Sequence, residues 1–348
     1  MEKWYLNDNP QTKDDGIRNF RSKPWNLFRS FRRIPKHRDV SDDLATSKKF
    51  VKSCIGNGLG PVPDATIRDY VAKRQGWPGP SSVTYRFVFA GKIYTFKAWK
   101  NEAVHKYIAN DAKIANDLVR LKHKNVRKVF AYYQDLEGFL QEFLPLSLQQ
   151  LVKKKELPHC EGRLSIMCDI AEGLRYLHNC QLVHNDLKCT NVLIDRSKGI
   201  AKLSDGCINN GNDTQVKLAL STQIDKIGYC CEEALAGRIA FSNDIFSFGA
   251  ICLVIVSGKP IYARDRKPSL LKEYLLNTSY KNWKYLKDEN IKWNKKLTMF
   301  KTDRPRKALL GLAANCLSET AQDRPTIDKV SQNCQQLLIN WKGNVGSH

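Results

Sequence analysis

The stretch Val183–Asp195 reads VHNDLKCTNVLID. It sets His184 two residues before Asp186, Lys188 two residues after it and Asn191 five residues after it. A second acid, Asp205, stands nineteen residues beyond Asp186 in Lys202–Cys207, KLSDGC. A carboxylate for a proton, an ammonium for developing negative charge and two oxygen donors for a hard cation are what phosphoryl transfer from ATP draws on. Any one of these could be an ordinary polar loop residue. Four together, flanked by Val192-Leu193-Ile194 and Leu203, make a specific signal.

The bulk numbers set bounds around that stretch. A chain of 348 residues can bury one large bilobed domain or two small ones. Apolar content of 42% and charged content of 26% are ordinary for a soluble protein, but a net charge of +22 is not. Such a charge favours acidic partners and says nothing about fold. Eleven Cys occur with no CxxC pair and no Cys/His spacing suited to zinc. The adjacent Cys230 and Cys231 are too close for ordinary disulfide geometry, so a reduced, intracellular setting (cytoplasmic or nuclear) is expected. The first residues, MEKWYLNDNP, lack an apolar signal core. The longest apolar run, Ile245–Val256, is too short to span a bilayer and reads as a buried helix.

Residues 1–60 read as a separate basic segment. From Gly16 to Arg38 it carries eight Lys or Arg and no acid, interleaved with Phe20, Trp25, Phe28 and Phe31. A solvated tail is one reading; an anchor for anionic lipid or nucleic acid is the other. From Val83 the pattern turns β-like: Val83–Ala90, a Gly91-Lys92 turn, then Ile93–Trp99 read as a hairpin. A helical stripe runs over residues 102–122, and Val129–Tyr133 and Phe139–Phe143 are further strands. From Leu148 on the pattern is helical, with Leu164, Met167, Ile170, Ala171, Leu174 and Leu177 forming one apolar stripe. Strands first and helices after predict an α+β protein of two lobes.

Over residues 70–338 the chain resembles the eukaryotic protein kinases, most of all the tyrosine-kinase-like group. VHNDLKCTN resembles the catalytic loop in its Ser/Thr-kinase form, and Asp205-Gly206-Cys207 stands at the metal motif. Lys97, in YTFK fourteen residues after Val83, matches the strand lysine, and His123-Lys124-Asn125-Val126 is similar to the family's H-x-N turn. YCCEEAL, NDIFSFG and LSETAQDRPT resemble three marks of the C-terminal lobe. The resemblance implies a bilobed kinase fold with an N-lobe over 70–147, a C-lobe over 148–340 and a tail over 341–348.

It also implies roles. Asp186 would be the base and Lys188 would steady the transferred phosphoryl group. Asn191 and Asp205 would hold Mg2+, with Mn2+ as an alternative. Lys97 would neutralise phosphates, Gln141 would be the gatekeeper, and Gly76, Val83, Glu142, Leu144 and Leu193 would line the ATP site. Glu233 would pair with Arg324, and Asp244 would brace the catalytic loop.

Several positions depart from the family pattern. The glycine loop becomes Gly76, Pro78 and Ser81 in GWPGPSSV. Counting nine back from His123 for the helix Glu that should pair with Lys97 lands on Ile114, with Asp111 and Asp117 out of register. Gly206 replaces the metal-motif Phe, which predicts lost packing and a looser motif. Asn185 replaces the Arg that would pair with a loop phosphate, and Lys226 stands where a Thr is expected ahead of Tyr229. Ser221, Thr222 and Thr214 are candidate modification sites in the activation segment.

A Ser/Thr protein kinase using Mg·ATP on a protein substrate, an acidic one included, is the leading expectation. A pseudokinase serving as a nucleotide-binding or scaffolding module is the alternative. A choline-kinase-like small-molecule phosphotransferase is a third reading, opposed by the C-lobe motifs. Lys259–Lys307, with fifteen Lys or Arg against five acids and with Trp283 and Trp293, is either a solvated surface or a docking surface for acidic partners.

Overall fold

The computed structural model describes residues 61–74, 76–78, 82–99, 118–133, 136, 138–206, 208–209, 226–276 and 304–345. The basic N-terminal segment lies outside the described residues, as do Asp111, Ile114, Asp117, Cys207, Thr214, Ser221, Thr222, Trp283 and Trp293. So does most of the 102–122 stripe, of which 118–120 are helical and Lys122 follows the helix end.

The first lobe is built on a five-stranded antiparallel sheet. Its strands are β1 (Trp77–Pro78), β2 (Ser82–Phe89), β3 (Lys92–Trp99), β4 (Val129–Tyr133) and β5 (Gly138–Glu142), in the order β1-β2-β3-β5-β4. The β2–β3 register pairs Phe89 with Lys92, so the hairpin turns on Ala90-Gly91 and not on Gly91-Lys92 as the sequence suggests. Both turn residues have positive φ, 50° and 75°, the two-residue geometry whose twist matches the flanking strands. Alanine is an uncommon choice there, which is why glycine alone points to the wrong pair. The expected strand 139–143 also shifts by one, because Gly138 pairs with Tyr133 and with Ala98. A side chain at Gly138 would run into Phe96 and the Lys97 carbonyl, so only glycine lets β5 approach β3 there.

One face of this sheet buries Phe87, Phe89, Tyr94, Phe96, Tyr133 and Leu140. They are closed over by Val62 and by Ile67 of a helix that the sequence pattern does not announce, α1 (Asp64–Lys73). The Tyr133 hydroxyl donates to the Val62 carbonyl (2.5 Å), and Tyr70 donates to the Arg86 carbonyl (2.6 Å). Pro61 and Pro63 hide this helix in the sequence, although a proline just ahead of a first turn suits helix entry.

The second lobe is helical: α2 (Leu148–Lys153), α3 (Cys160–Asn179), α4 (Glu232–Leu235), α5 (Phe241–Ser257), α6 (Leu271–Leu276), α7 (Arg304–Cys316) and α8 (Ile327–Val345). All six residues of the α3 stripe are buried. α5 is buried along nearly its whole length, polar Asn243, Asp244 and Ser247 included, and ends on Gly258 in the left-handed conformation. Arg163 ties α3 to its end by donating to the Ile255 carbonyl (2.6 Å). Ser147 and Gln150 form a reciprocal capping box that starts α2 directly after the β5 strand and its following loop.

Two short two-stranded sheets carry the chemistry-bearing loops. β7 (Val192–Asp195) pairs with β8 (Ile200–Leu203), and β6 (Leu182–Val183) pairs with β9 (Ile208–Asn209). Val126 bridges to Leu203, so the HKNV turn lies against the strand that leads into Asp205. An α+β, two-lobed architecture is therefore the observed one. Among the described residues no helix is long and apolar enough to cross a membrane.

Candidate active site

The loop between β6 and β7 is held from below by one buried carboxylate. Asp244, fully buried on α5, accepts from the backbone N–H of His184 (2.7 Å, Oδ2) and of Asn185 (2.8 Å, Oδ1). The His178 Nε2 lies 2.9 Å from the same Oδ2. Asn185 can take its φ of +58° because its short polar side chain tolerates the left-handed region. That backbone reversal turns the next residue, Asp186, out of the core.

Around Asp186 three side chains converge. Asn191 Nδ2 donates to both the Asp186 carbonyl and its Oδ2, each at 2.8 Å. Lys188 Nζ lies 3.1 Å from Oδ1, and Lys226 Nζ lies 3.4 Å from the same atom. Lys226 is buried and belongs to the turn ahead of Tyr229, so it reaches Asp186 from a different part of the chain. A methyl or hydroxyl could not do this; the four-carbon stem of lysine is what spans the gap.

The second acid sits at the end of β8. Asp205 has φ +64°, and its Oδ1 lies 3.0 Å from Lys97 Nζ on β3. Arg127 Nη1 lies 3.8 Å from that oxygen and 3.4 Å from Ser204 Oγ. Burial alone would raise the Asp205 carboxyl, but the Lys97 and Arg127 cations hold it far below the usual carboxylate range. Lys97 is thus brought to Asp205 across the lobes.

Gly206, expected to loosen the motif, is instead tightly contacted. A Cβ built on it would lie 2.2 Å from His184 Nδ1, so the imidazole of the catalytic-loop stretch fills the space beside it. Burial pushes the His184 imidazole down, which favours its neutral form.

The other residues named for the nucleotide site lie in or beside β1, β2 and β5, in the loop after β5 and on β7. Gln141 is buried on β5 opposite Thr95, and its Oε1 has no hydrogen-bond partner among the described residues. The Glu142 carboxylate is bound by Lys202 Nζ (2.8 Å to each oxygen). Leu144 and Val83 are half-buried, and Leu193 is buried on β7, bridged to Ser147. Gly76 is packed under β2, where a side chain would strike Val83 and Tyr85. Pro78 pairs with Val83 on the edge strand, a position where a missing N–H is tolerated.

Away from the cleft, Arg324 donates to the Glu233 carboxylate, to the Ser242 carbonyl (3.1 Å) and to the Ser318 carbonyl (2.8 Å). Its guanidinium also stacks 5.1 Å from the Phe246 ring. Arg127 and Lys226 reach Asp205 and Asp186 by contacts that the sequence did not announce. Arg127 follows the HKNV turn directly, and that adjacency was the only available signal.

A β-rich lobe over a helical lobe, with a base loop and a second acid facing a strand lysine, defines a phosphotransferase of the bilobed kind. The protein kinase domain family model matches residues 79–335, and the chain belongs to that family. Two Arabidopsis thaliana relatives are similar over most of both chains. One is a probable serine/threonine-protein kinase, PBL18, 28% identical over 77% of this chain and 70% of its own length. The other is the probable serine/threonine-protein kinase PBL3, 29% identical over 90% and 76%. An L-type lectin-domain containing receptor kinase I.3 from the same plant is 26% identical over 68% of this chain but only 36% of its own length. Kinases of this family use ATP with a divalent metal and act on protein substrates.

Proposed function

We propose that the protein transfers the γ-phosphate of ATP to Ser or Thr hydroxyls of a protein substrate, with Asp186 as the base. The observation that carries this reading is the three-sided hold on Asp186 by Asn191, Lys188 and Lys226, which fixes the direction of its carboxylate. The substrate hydroxyl gives its proton to Asp186 as its oxygen bonds to the γ-phosphorus, and the bond to the bridging oxygen of ADP breaks. Lys188 neutralises charge on the transferring group. Lys97 takes the remaining phosphates. The likeness to probable serine/threonine-protein kinases supports Ser/Thr over Tyr as acceptor, as does Lys188 itself.

The nucleotide fits the residues present. Val83, Leu144 and Leu193 supply apolar side chains and Gln141 a buried polar atom without a hydrogen-bond partner among the described residues, a set that suits an apolar base with a polar edge. Asn191 and Asp205 supply hard oxygen donors of the type Mg2+ or Mn2+ takes. When bound, the metal would neutralise phosphate charge and orient the γ-phosphoryl group. A scaffolding role without transfer rests on the altered glycine loop and on Asn185. The intact geometry around Asp186 favours the enzyme.

The nine described cysteines form no disulfide with one another, which supports a reducing compartment. Acidic protein, lipid or nucleic acid partners for the basic segments rest on charge alone.

The test is phosphosite mapping by mass spectrometry after incubation with ATP and Mg2+ or Mn2+, on the protein itself and on a generic basic substrate. Phosphoserine or phosphothreonine that disappears in Lys97→Met supports the reading. Label confined to Tyr, or equal label in the variant, contradicts it.

A further inference from the structure

Arg127 stands in a position to change what the cleft asks of a metal. Its anchoring is complete along its length. The backbone N–H donates to the Leu203 carbonyl (2.8 Å), and Nε donates to the Glu142 carbonyl (2.8 Å). Nη1 reaches Ser204 Oγ (3.4 Å) and lies 3.8 Å from Asp205 Oδ1. With 8% of its surface exposed, the side chain is a fixed interior charge and not a mobile surface arginine. A guanidinium keeps its proton even when burial pulls it down, as burial does here.

The acceptor of this charge is the carboxylate that also meets Lys97 at 3.0 Å. Two cations from distant segments therefore converge on the carboxylate that a divalent ion would also bind. A hard cation binds a carboxylate by direct ligation and gains least where other positive charges already neutralise it. Nucleotide phosphates, in contrast, gain from every fixed cation at the end of a dry cleft.

We propose that Arg127 is a built-in cation that takes over at Asp205 part of the charge neutralisation a divalent metal supplies, so that nucleotide binding depends little on metal. The inference rests on the reading of the cleft as a nucleotide site. It concerns binding, whereas the transfer step still draws on the metal to orient the γ-phosphoryl group. Arg127 acts through Asp205 and through charge, and it is a positioning residue in that sense.

The experiment is a titration of the full chain with ATP by isothermal calorimetry, in EDTA and in 10 mM Mg2+ (a concentration roughly at saturation for Mg·ATP). The wild type is compared with Arg127→Gln and Arg127→Lys. The wild-type Kd is expected to change by less than about threefold between the two conditions. Arg127→Gln is expected to lose about tenfold or more in EDTA and to regain most of it in Mg2+. Arg127→Lys, which keeps the charge, should stay close to wild type. Wild-type binding that needs Mg2+ overturns the proposal even if the glutamine variant does not fold. An identical metal response in wild type and Arg127→Gln also overturns it. Wild-type protein that binds ATP in neither condition overturns the nucleotide reading itself, a result distinct from binding in Mg2+ alone.

Discussion

The imidazole of His184 occupies the place that any side chain on Gly206 would need. A Cβ at position 206 would approach Nδ1 to 2.2 Å, closer than carbon and nitrogen pack in folded proteins. The two residues therefore belong together: a buried, largely neutral histidine on the catalytic loop and a glycine in the metal motif. Restoring the aromatic residue that the family carries at position 206 should not improve the protein. Gly206→Phe is expected to cost about 1–3 kcal/mol through overpacking. In thermal unfolding it should melt several degrees lower, and His184→Ala should recover part of the loss in the double variant. A variant as stable as wild type would show that the ring yields freely.

Glu233 and Arg324 give the C-lobe a pH-dependent element. Burial alone would raise the Glu233 carboxyl, but the Arg324 hydrogen bond lowers it below its ordinary value. A depressed carboxyl contributes stability that is fully present above the unfolded value, near pH 4.3–4.5, and is lost as pH falls through the folded value. The melting-point gap between wild type and Glu233→Gln should therefore be constant above about pH 5.5 and narrow below about pH 4. Arg324→Ala, which strands the acid, should cost about 3–5 kcal/mol at neutral pH. A gap independent of pH down to unfolding would contradict the pairing as the source of this stability.

Lys226 is the second ammonium on Asp186 and comes from outside the catalytic loop. Removing it should disturb the aim and charge of the base more than the binding of nucleotide. Lys226→Met is expected to lower kcat by about tenfold or more while KM for ATP stays within about threefold. Lys226→Arg should recover part of kcat. An unchanged kcat would mean that Lys188 and Asn191 hold Asp186 without help.

Much of this was legible in the sequence, and for identifiable reasons. The α3 stripe and the apolar run of α5 announce buried helices because both periodicity and length leave one reading. The spacing of Asp186, Lys188 and Asn191 is legible because the three side chains meet within one short loop. What the sequence hid are contacts between distant segments. Arg127 and Asp205 are far apart in the chain and meet only because Val126 bridges to Leu203. The His184–Gly206 fit is hidden for the same reason, since a missing aromatic reads as a void until the neighbour that fills it is known. The α1 helix was hidden by local chemistry, since Pro61 and Pro63 stand just ahead of it while Ile67 and Val62 serve the sheet's core. The hairpin turn moved by one residue because alanine adopts a positive φ that its side chain disfavours.

If Asp186 takes the proton of an acceptor hydroxyl in phosphoryl transfer, its amide must fail at that step alone. The most direct test is the rate of 32P transfer from γ-labelled ATP to protein, with Mg2+ and with Mn2+, for wild type against Asp186→Asn. The amide keeps the shape and the Asn191 contact but cannot accept the proton. A wild-type rate about 10²–10⁴-fold above the variant, with both proteins binding ATP equally, is the predicted result. Equal rates in the two proteins in both metals would contradict it.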